Sequence, residues 1–302
     1  MGWKLLISSI TIFFLLILLF FYVIPLKTIN FESSPVNSNF SSLSSVDKNM
    51  QFYPNMRFPE TDISYEILDC PLQKQDDMES AFDIMEEITP LNFYSVGNNA
   101  EIYVTCEERA KTNGNLFIAG EGGPTNITAI GNLAVILNGE ILLIRESNCP
   151  TPNIALHELL HVLGFTHSAN PDNIMYNITD CDQEIGDDTL QLIEDLYSIP
   201  SYSDLAFGNV SASISGRFLS INLTIINSGL KKLEDFKIQI LSNEEIIKTT
   251  DSEPLDIGYG RFIGMSNVWV SQMNVQELEI IIVTEFEEIN KENNKIKLEI
   301  KQ

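Results

Sequence analysis

Thr151-Pro-Asn-Ile-Ala-Leu-His157-Glu158-Leu-Leu-His161-Val-Leu-Gly164-Phe-Thr-His167 is the stretch on which the reading of this chain turns. It holds all three histidines of the 302 residues. Thr151 followed by Pro152 suits an N-cap and first helical position. Leu156, Leu159, Leu160 and Leu163 make an apolar stripe that would bury the helix under a sheet. His157 and His161, four apart, project together from another face. Two imidazoles one turn apart can share a metal ion, and Glu158 beside them can reach a metal-bound water. Gly164 can take the left-handed conformation that ends a helix and turns the chain, so that His167 returns as a third ligand. Three nitrogen ligands with an open fourth position mark a catalytic zinc site. Zinc would polarise a substrate carbonyl and acidify its bound water. Glu158 would take that water's proton and pass it to the leaving amine.

Outward from this helix the pattern is mixed. Ile63–Ile67 reads as a strand, and Met78, Ala81, Phe82, Met85 and Ile88 recur at helical spacing before Thr89-Pro90. Ile102, Val104 and Cys106 alternate with polar residues, as in a half-buried strand. Asn138-Gly139 between two apolar runs predicts a hairpin. Gly120-Glu-Gly-Gly123 lacks a following Gly-Lys-Ser/Thr and reads as a plain turn. Strands and helices without a βαβ repeat make the class α+β.

His157 to His167 matches the H-E-x-x-H-x-x-G-x-x-H signature, and the segment resembles the metzincin zinc endopeptidases. Asn173-Ile174-Met175-Tyr176 looks like the Met-turn of that clan. The resemblance is closer to the matrixins, since Ser168 follows His167, Pro171 precedes Ile-Met-Tyr, and Asp187-Asp188 opens a helix like the last of that catalytic domain. It covers about residues 57–200. It implies a metzincin-like catalytic domain with His157, His161 and His167 as zinc ligands and Glu158 as general base. It further implies Met175 as the floor and Tyr176 as a wall of the pocket for the substrate side chain after the cut.

The chain departs from matrixins in three ways. Residues 28–56 hold no cysteine to cap the zinc, no further histidines exist for a structural zinc, and Asn177 stands where proline is usual. Structural Ca2+ stays open, because the acidic middle segment has ligands to spare. Cys149 lies just before the active-site helix and Cys181 just after the Met-turn. Four cysteines allow three connectivities, and a four-cysteine zinc site is a rival. The expected disulfides are Cys149 with Cys181 and Cys70 with Cys106.

Leu5 to Leu26 is uncharged, flanked by Lys4 and Lys27, with no small-x-small site after Pro25. A membrane span needs about 20 apolar residues, so residues 1–27 are expected to be a retained transmembrane signal anchor, touching the membrane through residues 5–26. Residues 28–56 read as a Ser/Asn-rich stalk. Cysteines without a C-x-x-C pair fit an oxidising compartment. Asn-x-Ser/Thr sites at Asn39, Asn126, Asn177, Asn209 and Asn222 agree with this. The expected location is the cell membrane, single-pass, with the catalytic domain outside the cell.

The net charge of −24 argues against nucleic acid as partner. Residues 57–200 carry five basic and 25 acidic side chains, so most of the imbalance sits there. Over 205–302 short alternating runs, such as Leu219–Ile225 and Phe236–Ile240, give about seven strands and an expected Ig-like sandwich. Ile225-Ile-Asn-Ser-Gly229 and Glu285 to Asn294 resemble the CARDB family of adhesion-associated Ig-like domains, which implies a spacer or a module for a surface partner. The sequence thus predicts a membrane-anchored extracellular zinc endopeptidase acting on proteins or peptides. The alternative is a surface adhesion protein with a catalytically silent metalloprotease fold.

Overall fold

The computed structural model describes residues 2–23, 28–32, 50–108, 111–113, 116–146, 149–272 and 275–300. Along the chain, α1 (Gly2–Val23) precedes β1 (Thr28–Glu32), β2 (Met56–Arg57), β3 (Asp62–Leu68) and α2 (Leu72–Ile88). Next come β4 (Asn92–Ser95), β5 (Ile102–Cys106), β6 (Lys111–Asn113), β7 (Leu116–Ile118), β8 (Gly120–Ile130) and β9 (Leu133–Leu143). The helices α3 (Asn153–Val162) and α4 (Asp187–Tyr197) follow. The remainder is β10 (Leu205–Ser215), β11 (Phe218–Asn227), β12 (Phe236–Ser242), β13 (Glu245–Ser252), β14 (Gly260–Trp269), β15 (Leu278–Val283), a 3-10 turn (Glu292–Asn294) and β16 (Lys295–Ile300). The chain divides into two compact units, residues 39–201 and residues 1–38 with 202–302.

In the 39–201 unit, β2, β9, β5, β3 and β4 lie in that order and run parallel, while β8 adds antiparallel to the other edge of β9. Helix α2 buries Met78, Ala81, Phe82 and Met85 in one core with Leu156, Leu159 and Leu160 of α3. That i, i+3, i+4, i+7 stripe is what holds an otherwise acidic helix on the sheet. Arg57 is 1% exposed and has no carboxylate partner. Its guanidinium donates to the Phe58, Pro59, Leu196 and Ile199 carbonyls and to Ser201 Oγ, and stacks over Tyr197 at 4.3 Å.

Several expectations need correction. The protein is mostly β, 44% strand and 22% helix, not an α+β domain beside a sandwich. Asn138-Gly139 makes no hairpin, for β9 runs straight through it. Gly139 is there because a Cβ would stand 2.5 Å from the Val162 side chain of α3. The chain reverses instead at Gly131, in the left-handed region at φ +56. Gly120 to Gly123 is the start of strand β8 and no turn.

The second unit is one eight-stranded antiparallel sheet in the order β13-β12-β15-β16-β1-β10-β11-β14, nearly closed like a barrel, in place of the expected Ig-like sandwich. The seven C-terminal strands alone would fall into two sheets. Strand β1 pairs with β10 on one side and β16 on the other, and so stitches them together. Its Phe31 is 1% exposed, in the core with Leu205, Ile221 and Leu298. Residues 28–32 are therefore folded sheet rather than stalk, as are residues 50–56, and residues 33–49 with Asn39 lie outside the described residues. Asn126, Asn177, Asn209 and Asn222 are exposed.

The membrane anchor is corrected too. Among the described residues no helix is long and apolar enough to cross a membrane. Helix α1 stops at Val23, two residues before Pro25, because the residue preceding a proline is pushed out of helical conformation. From Leu5 to Val23 a helix rises only about 28 Å, against a hydrocarbon core of about 30 Å.

Candidate metal centre

Helix α3 is buried on nearly every side, from Ala155 to Val162. It fits because two strands present no side chains to it. A Cβ on Gly122 of β8 would fall 2.4 Å from the Glu158 carbonyl oxygen, and Gly139 of β9 meets Val162 as described. The helix begins at Asn153, one residue later than Thr151-Pro152 suggests, and Asn153 Nδ2 donates to the Asp180 carbonyl at 2.6 Å. Gly164 ends it with φ +97, and the Phe165 N–H donates to the Leu160 carbonyl at 3.0 Å. The chain then turns back to His167.

The structure brings His157, His161 and His167 together, with one potential ligand atom of each lying within 4.8 Å of the others. His157 Nδ1–H donates to the Ile174 carbonyl at 2.6 Å, and His161 Nδ1–H to the Phe165 carbonyl at 2.8 Å. A carbonyl can only accept, so both Nδ1 atoms carry the proton and both Nε2 lone pairs are left free. His161 Nε2 stands 3.2 Å from His167 Nε2. Two nitrogens at that distance suit tetrahedral ligands about 2.0–2.1 Å from a shared zinc ion. Burial pushes His157 below its ordinary value, and pushes His161 down to about 4, although the accepting carbonyls oppose this. Neutral imidazoles are the form a metal takes. Among the described residues this is the one cluster of three or more such side chains, and nothing supports calcium in the acidic segment.

Glu158 is 5% exposed beside the trio. Burial pushes its carboxyl up to about 8, the nearby charge of Glu121 adds to the rise, and the Gly122 N–H opposes it by hydrogen bonding. The cleft at this place measures about 870 Å³. One wall is Gly120, Glu121 and Gly122 of β8, and the facing wall is Asn177, Ile178 and Thr179.

Met175 is 2% exposed in the core that carries α3. Its carbonyl accepts from the Ser168 N–H at 2.8 Å, which fixes the turn directly after His167. Tyr176 is half-buried, bridged to Ser168, and is not among the residues lining the cleft. Cys149 is bonded to Cys181 and Cys70 to Cys106. Cys149 and Cys181 both line the cleft.

Two groups of residues at the site were missed from sequence. Residues 50–52 brace the loop before His167. The Thr166 N–H donates to the Met50 carbonyl, the Phe52 N–H to the Gly164 carbonyl, and the Phe52 ring lies 5.9 Å from that of His161. Nothing in Asp47-Lys-Asn-Met-Gln51 signals this. Gly120 and Gly122 were readable in principle, since glycines two apart leave one face of a strand bare.

The matrixin family model matches residues 57–198. No curated protein matches the chain. Among solved structures the chain is similar to the CARDB domain of a Pyrococcus furiosus protein in complex with di-metal ions, at 12% identity and a TM-score of 0.26. That likeness covers 32% of this chain and 88% of the other.

Proposed function

We propose that the chain is a zinc-dependent endopeptidase acting on proteins or peptides, with His157, His161 and His167 as the zinc ligands. The observation that carries this reading is the pair of Nδ1–H···O=C hydrogen bonds, which leave two Nε2 lone pairs facing the third histidine beside a buried carboxylate. When bound, zinc supplies a Lewis acid for the scissile carbonyl and acidifies the attacking water. The matrixin match to residues 57–198 supports the same reading.

The chain's own residues divide the remaining work. Glu158 takes a proton from the attacking water onto its carboxylate and delivers it to the leaving amine. The Gly122 N–H holds that carboxylate in place. Among the described residues β8 pairs only with β9, so its outer edge is open for an extended substrate to add as a further antiparallel strand. Asn177, Ile178 and Thr179, with the Cys149–Cys181 bond, form the opposite wall. The two disulfides and the exposed Asn-x-Ser/Thr sites support work in an oxidising setting outside the cell.

The test is peptide cleavage by the full chain with and without chelator, together with zinc content. Glu158→Ala is expected to keep one zinc and lose cleavage. Cleavage that survives either Glu158→Ala or zinc removal would overturn the assignment.

A further inference from the structure

The C-terminal unit holds a second concentration of buried polar groups, remote in sequence from the histidines. Asp204, just before β10, is 2% exposed, and Glu288, between β15 and β16, is 9% exposed. Asp204 Oδ1 accepts from the Asn290 N–H at 3.0 Å, and Asn293 Nδ2 reaches both Asp204 oxygens at 3.2 Å. Glu288 Oε2 accepts from the Leu205 N–H at 2.9 Å, and its Oε1 from Asn294 Nδ2 at 2.8 Å. Every one of these donors is neutral. Among the described residues no basic side chain pairs with either carboxylate. Burial pushes Asp204 up to about 6 in spite of its hydrogen bonds, and Glu288 adds to the rise. Two buried negative charges without a cation are costly, and a buried charge is ordinarily paired or bound to a metal.

A separate sign points to what is missing. Asn293 and Asn294 are 4% and 5% exposed, and the Oδ1 of each has no hydrogen-bond partner. Buried amide oxygens are nearly always satisfied, and an orphan marks the place of an ion or a water. Both orphans belong to amide groups that already touch the two carboxylates. A half-turn of either amide about Cβ–Cγ would present its oxygen to the carboxylate at the same 2.8 or 3.2 Å spacing. Oxygens that close are tolerable around a cation with bonds of about 2.3–2.6 Å.

We propose that Asp204, Glu288, Asn293 and Asn294 bind a calcium ion. Two carboxylates and two amide oxygens form a hard, all-oxygen set with no nitrogen or sulfur, unlike the histidine trio. A dication cancels the two buried charges. The donors come from a loop and a 3-10 turn, an irregular arrangement that calcium accepts and the strict octahedron of magnesium does not. The ion clips the start of β10 to the connection between β15 and β16.

Calcium titration of the zinc-loaded full chain by calorimetry tests this, with thermal unfolding followed in parallel. One ion per chain is expected, with unfolding moved to higher temperature. Asp204→Asn and Glu288→Gln keep the side-chain shapes, and each is expected to weaken calcium binding about tenfold or more. Hydrogen exchange on the unaltered chain gives a readout that needs no variant to fold. Calcium should slow exchange at the Leu205 and Asn290 amides, which donate to the two carboxylates. Absence of calcium-dependent heat and of any thermal shift at millimolar calcium would overturn the proposal. So would binding that persists unchanged in both variants, or slowed exchange that spares Leu205 and Asn290.

Discussion

Gly122 lies against Glu158 so closely that a Cβ at residue 122 would sit 2.4 Å from the Glu158 carbonyl oxygen and 3.0 Å from its Cα. The obstacle is backbone, which cannot swing aside. Gly122→Ala must therefore lift β8 from α3, and with it the N–H that holds the Glu158 carboxyl. Overpacking of this kind costs about 1–3 kcal/mol of stability. The loss in kcat/KM is expected to be larger, about a hundredfold for a displacement near 1 Å. Steady-state kinetics beside thermal unfolding will check it. Unaltered kcat/KM would mean that the contact is only packing.

The same close approach explains part of what could be read from sequence. The spacing of His157, His161 and His167 was legible because three ligands on one helix and one turn are local, and α3 with Gly164 delivers them as the pattern demands. The two disulfides were expected in the pairing seen. The path of β8 was not legible, because only contact with α3 gives Gly120 and Gly122 their meaning. Asn138-Gly139 misled for a related reason. A glycine needed for helix contact carries the same letters as a hairpin turn. Strand β1 was hidden by its Ser/Asn-rich neighbourhood, although Ile29 and Phe31 alternate with polar residues as a strand should.

Phe31 tests the stitching of the eight-stranded sheet. It is 1% exposed, and its strand is the link between β16 and β10. Phe31→Ala leaves a cavity between the two halves and is expected to cost about 3–5 kcal/mol. Denaturant unfolding of the C-terminal unit, followed within the full chain, measures this. A change under about 0.5 kcal/mol, the range of ordinary surface substitutions, would show that the sheet holds without β1.

Arg57 is a buried cation satisfied by carbonyls rather than by a carboxylate. Two of its acceptors, Leu196 and Ile199, lie at and just beyond the end of α4, where the helix dipole favours positive charge. Arg57→Lys offers one ammonium in place of a planar fork and cannot reach both ends of this network. The substitution is expected to cost about 3 kcal/mol or more, since several buried carbonyls lose their donor. Chemical denaturation of the variant will read the loss. Zinc content should be unchanged, because Arg57 touches no residue of the histidine trio.

The Cys149–Cys181 bond separates two effects that usually travel together. It closes a loop with a sequence separation of 32 that contains all three histidines. In the chain-entropy model such a cross-link contributes about 4 kcal/mol. Both cysteines also line the cleft, and Cys181 follows the wall residues Asn177 to Thr179. The ligands themselves are held by other means, namely the Ile174 and Phe165 carbonyls and the turn at Gly164. The double variant Cys149→Ser with Cys181→Ser should therefore lose stability and raise KM through a loosened wall. Its zinc stoichiometry should remain one per chain. Kinetics at a temperature well below unfolding, beside metal analysis, distinguishes the two. If KM stays fixed while stability falls, the bond supports the fold and has no part in shaping the pocket.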